Sequence, residues 1–381
     1  MSRLSFLDDV LADLEAAGRR RSPRVISKRA GAHVWVGGRK LVNVSSNDYL
    51  GLSTHPALAE AAAASIGEHG VGAGASRLIT GNHALCEELE HALASFHGAP
   101  AARLFNSGYA ANTGVLPVLV EKGDIVFSDE LNHASIIDGC RLSRATTVVY
   151  KHKDVGHLAD MLAKHPARRR LVVTESLFSM DGDGAPLDEI RSVTAEAGTI
   201  LMVDDAHAVG SAADGRGYGW RAGADVVVGT LGKAFGSAGA YVLGSRALVD
   251  VLWNRARTLV FSTGLPVPAL AASVAAVRVV SSPEGAGLRA RLEQARQAVG
   301  RSSYIVPLVV GDDRRAMAAM NRLAESGLLV QAIRPPTVPE GTSRLRLSLS
   351  AALSEDDVRQ VVSAVRALES DGWLVPRGTG A

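Results

Sequence analysis

Six short apolar runs, set apart by helical patterns, constrain this chain more than any other feature. They are "DIVFSD" (124–129), "TTVVYK" (146–151), "LVVTES" (171–176), "ILMVDD" (200–205), "DVVVGT" (225–230) and "AYVLG" (240–244). Most are rich in Val and Ile and continuous rather than alternating, as strands are when both faces are covered. Between several of them lie stretches of helical period, such as "VGHLADMLAKH" and "LDEIRSVTAEAG". Strand–helix alternation of this kind predicts an α/β fold with a mostly parallel, doubly wound sheet. With 381 residues the chain has room for a second, smaller core. "SSPEGAG" (281–287) reads as the start of a linker region. "RLRLSLS" (344–350) alternates cleanly, which predicts a sheet with one wet face in a smaller α+β C-terminal domain. The expected organisation is an N-terminal helix and arm over 1–45, a large ligand-binding domain over 46–280 and a small domain over 281–381.

Composition narrows the partners. Hydrophobic residues make up 47% and charged residues 21%, with a net charge of +2. That balance gives no electrostatic footprint for nucleic acid or a membrane surface. Cys86 and Cys140 are too few for a disulfide framework and suit a reducing compartment. At the N-terminus, Leu4, Leu7, Leu11 and Leu14 recur at helical spacing, with Asp8, Asp9, Asp13 and Glu15 on the other faces. This is an amphipathic helix too acidic for a transit peptide. No uncharged apolar stretch reaches membrane-spanning length. A cytoplasmic location is expected.

Ligands of open α/β sheets bind beyond the carboxyl ends of the strands. Lys233 follows "DVVVGTLG", Asp204 and His207 follow "ILMV", and Glu175 and Ser179 follow "LVV". Each alone suits a cap, a turn or a solvated residue; together they point to one site. Familiar motifs do not account for them. "GTLGKAF" lacks the P-loop pattern, because Val227 stands where its first glycine belongs and Ala234 where its Ser or Thr belongs. "GVGAGAS" (70–76) has the wrong glycine spacing for a dinucleotide turn, and "DGDG" (181–184) lacks the calcium loop's final glutamate, Ser192 standing there. No metal-ligand spacing occurs, so no metal is expected.

A lysine, an aspartate and a histidine at strand ends suit imine chemistry. Lysine adds to carbonyls when its amine is neutral, and burial or a neighbouring cation lowers its pKa. Gly232 and Gly236 leave room for a flat cofactor against the backbone. An aspartate holds a protonated pyridine nitrogen, a charge-assisted contact worth roughly 1.5–3 kcal/mol. These are the groups that pyridoxal phosphate requires. A phosphate cradle is offered by "LFNSGYAANTGVLPVLV" (104–120), where Asn106 or Ser107 caps a helix whose first amides, near Gly108 and Tyr109, point at an anion. Tyr109 and Thr230 can add hydroxyls. A nicotinamide dehydrogenase and a cofactor-binding regulator without turnover are the readings from other classes.

Five ordered motifs carry a resemblance over nearly the whole chain: "SSNDYLGL" (45–52), "DELNHASIIDG" (129–139), "TESLFSMDGDGAPL" (174–187), "VDDAHAVG" (203–210) and "TLGKAFGSAGAYV" (230–242). They resemble the α-oxoamine synthases, homodimeric pyridoxal-phosphate enzymes of fold type I. The resemblance implies an aspartate-aminotransferase-like large domain. It implies that Lys233 forms a Schiff base with the cofactor, that Asp204 pairs with the pyridine nitrogen, and that His207 bonds the ring's phenolic oxygen. His133 would stack on the ring and assist acid–base steps. Ser107, Gly108, Tyr109 and Thr230 would contact the phosphate, with Ser262 and Thr263 reaching that of the partner subunit, and Ser179 would lie beside cofactor and substrate. Asn47 and Arg334 would hold an amino-acid carboxylate, the arginine by its bidentate fork. Arg19 and Thr337 match the acyl-substrate positions. Within the family, "AIRPPTVPEGTSRLRLSLSA" (332–351) is similar to the branch that joins L-alanine to a pimeloyl thioester, carried on CoA (pimeloyl-CoA) or on acyl carrier protein (pimeloyl-ACP). Sister branches use glycine and a short acyl-CoA. Ser76 stands where one of these resembles a threonine-bearing pattern, and the smaller residue leaves room for alanine's methyl group.

Overall fold

The computed structural model describes residues 3–212 and 214–376. Chain contacts divide it into two compact units. The larger comprises Asn47–Ser179 and Asp183–Arg291; the smaller comprises Met1–Ser46, Met180–Gly182 and Leu292–Ala381.

In chain order, the smaller unit begins with a helix at Phe6–Ala16 and strands β1 (Ile26–Ala30), β2 (His33–Val36) and β3 (Arg39–Asn43). The larger unit holds β4 (Ala101–Phe105), β5 (Ile125–Asp129), β6 (Thr146–Tyr150), β7 (Arg170–Glu175), β8 (Ile200–Asp204), β9 (Val226–Thr230) and β10 (Ala240–Gly244). The smaller unit ends with β11 (Ile305–Gly311), β12 (Leu328–Leu329), β13 (Gln331–Ile333) and β14 (Ser343–Ser348). All six apolar runs of the sequence form strands of one seven-stranded sheet, in the order β4-β10-β9-β8-β7-β5-β6.

The chemistry of the runs explains the sheet. Val172, Val173, Leu201, Met202, Val203, Val227 and Val228 have no exposed surface, so neither face of the central strands meets water. Burying each such side chain contributes about 1.5–3 kcal/mol. Leu171, Val173, Met202, Val226 and Val228 pack in one cluster with Ala111, Val115 and Leu116 of the Gly108–Leu119 helix. The neighbouring strands β6, β5, β7, β8 and β9 are parallel; β10 runs antiparallel to both β9 and β4. It follows that β4 points the same way as β9. The carboxyl ends of six strands therefore lie along one edge of the sheet. β4 lies outside the six apolar runs: "AARLF" carries a central arginine, and Arg103 bonds Glu90 at 2.8 Å instead of facing water.

Two expectations are corrected. The segment 281–287 is not a linker: it starts a helix at Pro283–Val299. Pro283 suits the first helical position, and the Ser282 hydroxyl accepts a bond from the Glu284 amide at 3.2 Å. Gly285 is needed because a Cβ there would stand 2.4 Å from the Val280 carbonyl oxygen. The division between the two units falls inside this helix, after Arg291, and residues before Asn47 group with the C-terminal part. The second correction concerns the alternating "RLRLSLS". β14 is the middle strand of a three-stranded sheet, β11-β14-β13, and is buried on both faces. Arg344 and Arg346 face inward. Arg344 is neutralised by Asp181, and Arg346 donates to the Ser348 hydroxyl at 2.7 Å. Alternation by itself does not distinguish a wet face from one lined with paired polar groups.

Candidate active site

The carboxyl ends of β4, β5, β7, β8 and β9 deliver the groups of the site. β4 leads into the Gly108–Leu119 helix, and the Ser107 hydroxyl caps it by accepting the Ala110 N–H at 3.1 Å. Of the two caps the sequence left open, Ser107 serves; Asn106 instead donates to the Thr263 carbonyl at 2.6 Å. The Gly108 and Tyr109 amides stand at the positive end of the helix. A Cβ on Gly108 would meet nothing within 4 Å, so the Cβ side of this first helical residue is open. Tyr109 is half exposed, and its hydroxyl donates to Asp138.

β5 leads to His133, which begins the Ala134–Ser143 helix. Its Nδ1 accepts the Ser135 backbone N–H at 3.2 Å and lies 2.7 Å from the Ser135 hydroxyl. β7 ends at Glu175, paired across the ladder with Asp204 at the end of β8. Ser179 lies half-buried four residues on. Glu175 is buried beside the Asp204 charge, and its carboxyl is pushed up to about 8, mainly by burial and then by that charge; Lys233 and the His133 backbone N–H oppose this. The Asp204 carboxylate accepts the Asn112 side-chain amide at 2.7 Å and the Ala206 N–H at 3.0 Å.

The sequence offered two aspartates in "VDDAH", and the structure separates them. Asp205 points to the other side of the strand. It holds the Ser176 hydroxyl and the backbone N–H groups of Tyr218 and Gly219 at 2.9 and 3.0 Å. It therefore anchors a loop, whereas Asp204 joins the strand-end cluster.

β9 ends at Thr230, whose hydroxyl accepts the Gly232 N–H at 3.2 Å and donates to the Gly239 carbonyl at 3.1 Å. Lys233 follows, half-buried. Its Nζ lies 2.8 Å from His207 Nε2, and His207 Nδ1 lies 2.7 Å from the Tyr49 hydroxyl, which donates to Asn47 Oδ1 at 3.2 Å. One donor order satisfies this chain: the lysine ammonium donates to Nε2, Nδ1–H donates to Tyr49, and Tyr49 donates to Asn47. The two glycines beside Lys233 part company. A Cβ on Gly232 would meet only ordinary contacts, Thr230 Oγ1 at 3.7 Å and the Ser237 carbonyl oxygen at 3.9 Å. Gly236 has φ +66°, and a Cβ there would stand 2.4 Å from the backbone of Leu52 and Ser53. Gly236 thus serves a turn and a backbone contact, not the approach of a ligand.

Ser262 and Thr263 lie apart from these strand ends in the chain. Thr263 bridges to Ser76, next to Phe261, which is 71% exposed. The remaining expected positions belong to the smaller unit. Arg19 pairs with Glu340 at 2.7 Å and Asp313 at 3.4 Å. Arg334 is buried and donates to the Gly18 carbonyl, and the Thr337 hydroxyl accepts from Arg21 at 3.2 Å. Sequence reasoning missed Tyr49, Asn112 and Ser135. All three lie inside the quoted stretches. Asn112 and Ser135 carry no signal of their own, since each looks like an ordinary polar helix residue.

A cofactor with an aldehyde, a pyridine nitrogen and a phosphate fits these groups. The set supplies one amine, one carboxylate with a fixed orientation, and a capped helix N-terminus. The sequence pattern of the family described as "Aminotransferase class I and II" matches residues 39–365. The chain belongs to this family, and its cofactor is pyridoxal phosphate. Among curated proteins it is 48% identical to the 8-amino-7-oxononanoate synthase of Geobacter metallireducens, over 96% of this chain and 97% of that one. Among solved structures, a serine palmitoyltransferase of Sphingomonas wittichii aligns with TM-score 0.90 and 32% identity, over 98% of this chain and 100% of that one. A lysine-to-alanine variant of the serine palmitoyltransferase of S. paucimobilis, with a bound PLP–myriocin aldimine, aligns with TM-score 0.90 and 29% identity, over 98% and 100% of the two chains. The chain is thus an acyl-transferring pyridoxal-phosphate enzyme, of the 8-amino-7-oxononanoate synthase group. No helix among the described residues is long and apolar enough to cross a membrane.

Proposed function

We propose that the chain catalyses the decarboxylative condensation of L-alanine with a pimeloyl thioester, giving 8-amino-7-oxononanoate, CO2 and the free thiol of CoA or acyl carrier protein, in biotin biosynthesis in the cytoplasm. The observation that carries this reading is the strand-end cluster of Lys233, His207, Asp204 and His133, in a chain so close to synthases of that name. When bound, pyridoxal phosphate supplies an electrophilic aldehyde and a protonated ring that draws electrons from the amino acid's Cα. Lys233 would hold the cofactor's aldehyde carbon, and its Nζ, when free, would take alanine's Cα proton. Asp204 would keep the ring nitrogen protonated, and His207 would hydrogen-bond the phenolic oxygen. The Ser107–Tyr109 segment and Thr230 bind the phosphate, and Ser179 lines the cofactor's edge. By resemblance, Asn47 and Arg334 would hold the alanine carboxylate, and Arg19 and Thr337 would take the acyl-substrate positions. The new C–C bond joins alanine's Cα to the thioester carbonyl as the C–S bond breaks. The carboxylate then leaves as CO2, and Lys233 returns a proton to Cα.

The active assembly in this reading is a homodimer, with Ser262 and Thr263 reaching the partner's phosphate. The support is an apolar surface: Ile79 and Phe261 are 72% and 71% exposed, and the Ser76–Thr263 bridge brings their segments together. The test is release of thiol and CO2 by purified, cofactor-loaded protein given pimeloyl-CoA and either L-alanine or glycine. Turnover with alanine supports the proposal. Turnover only with glycine and a short acyl-CoA moves the chain to a sister activity. Sedimentation at the same concentration tests the dimer.

A further inference from the structure

The surroundings of His133 fix where its proton sits. A backbone N–H can only donate, so the Ser135 amide, 3.2 Å away, requires His133 Nδ1 to be an acceptor. A second argument leads to the same conclusion. The Asn112 side chain lies 2.7 Å from Asp204 Oδ2, and a carboxylate can only accept, so Nδ2 is the atom turned toward it. That same Nδ2 donates to the Ser135 hydroxyl at 2.9 Å. The hydroxyl's own hydrogen then points to His133 Nδ1, at 2.7 Å. Asn112 and Ser135 are both buried, so water does not compete for these bonds.

We propose that Asn112 and Ser135 are positioning residues that lock His133 as the neutral Nε2–H tautomer and tie it to Asp204. The relay runs from Asp204 through Asn112 Nδ2 and the Ser135 hydroxyl to His133 Nδ1. Two donors converge on Nδ1, leaving it no place for a proton. His133 therefore presents a hydrogen-bond donor from Nε2. It polarises a carbonyl or holds a carboxylate; it does not act as the base, which leaves proton abstraction to Lys233. The charged groups facing the ring are Asp204 and Lys233; Glu175 contacts its backbone N–H. An imidazolium would bring an N–H against the Ser135 amide and hydroxyl hydrogens, so protonation breaks the relay.

The role of His133 rests on the proposed function; its tautomer does not. The first test is therefore independent of turnover: ring-nitrogen chemical shifts of the full-length, cofactor-loaded protein labelled with 15N-histidine. The expected result is an unprotonated Nδ1 and a protonated Nε2 from pH 6 to 8. An Nδ1–H tautomer, or an imidazolium at pH 7, overturns the proposal. The second test is Ser135→Ala, which keeps the backbone donor and removes the hydroxyl. Its kcat is expected to fall about three- to tenfold with the KM for alanine little changed, as for one lost hydrogen bond. The ring of His133 should then titrate at higher pH than in the parent. Asn112→Ala should move both readouts the same way. A Ser135→Ala protein with parental kcat and an unmoved His133 titration also overturns the proposal. If the tautomer is as expected and no thiol is released with any acyl-CoA, the proposed function fails while the lock stands.

Discussion

His133 and His152 follow neighbouring strands of one sheet, β5 and β6, and the fold treats them in opposite ways. Partial burial lowers the His133 pKa; Asp204 opposes this and Lys233 reinforces it. Burial lowers His152 too, but Asp129 at 2.9 Å and Asp183 at 3.0 Å outweigh it and push that ring up to about 9. One ring faces hydrogen-bond donors and stays neutral. The other is clamped between two carboxylates and stays charged. His152, with Lys153, ties the ends of β5 and β6 to Asp183. The difference teaches that strand-end position does not give a histidine its task; the groups placed around its two nitrogens do.

The contrast can be broken at several points. The largest effect is expected at the lysine. Lys233→Ala should lower kcat by more than about a thousandfold and abolish the visible absorbance of covalently held cofactor, since both attachment and proton transfer are lost. His152→Ala should leave that absorbance intact. Asp204→Asn comes next. It removes the charge opposite the ring nitrogen and should lower kcat roughly a hundredfold, with the absorbance of bound cofactor shifted but not lost. An unshifted spectrum with parental kcat would remove Asp204 from the proposed site.

The pH dependence of stability sharpens the comparison. His152 is raised from 6.5 when unfolded to about 9 when folded. Its contribution is full below about pH 6.5 and is lost as pH rises through 9, because the unfolded chain releases this proton first. Screening of the partly exposed pair limits the effect to on the order of 1 kcal/mol, or about 2 °C in Tm for a chain of this size. His152→Gln should lower Tm by that amount at pH 6 and flatten the decline between pH 7 and 9, read by calorimetry. The smallest effect is expected from Ser107→Ala. Loss of the cap should cost about 1 kcal/mol locally, and cofactor should dissociate somewhat faster on dilution.

How far the sequence reaches can be judged from particular residues. The Val- and Ile-rich runs fixed the strands of the large sheet because burial on both faces demands continuous apolar sequence. The same rule hid β4, where Arg103 is carried inside by Glu90, and misread β14, where Arg344 is carried inside by Asp181. In both cases a partner distant in sequence reverses the cost of burying a charge, and no local pattern records it. The glycines of "GTLGKAFG" looked equivalent. Only the approach of Leu52 and Ser53 gives Gly236 a different reason from Gly232.

By itself, then, the sequence determined the α/β class, the strands flanking the site, and the residue types that suit pyridoxal phosphate. Those follow from periodicity and from the chemistry of single side chains. Tertiary structure decided that Asp205 anchors a loop, which nitrogen of His133 carries a proton, and that Tyr49, Asn112 and Ser135 stand behind the groups the sequence singled out. The physical reason is that hydrogen bonds are directional and act over about 3 Å. Their partners are 23, 92 and 158 residues apart in some of these pairs, or only two, as the fold dictates.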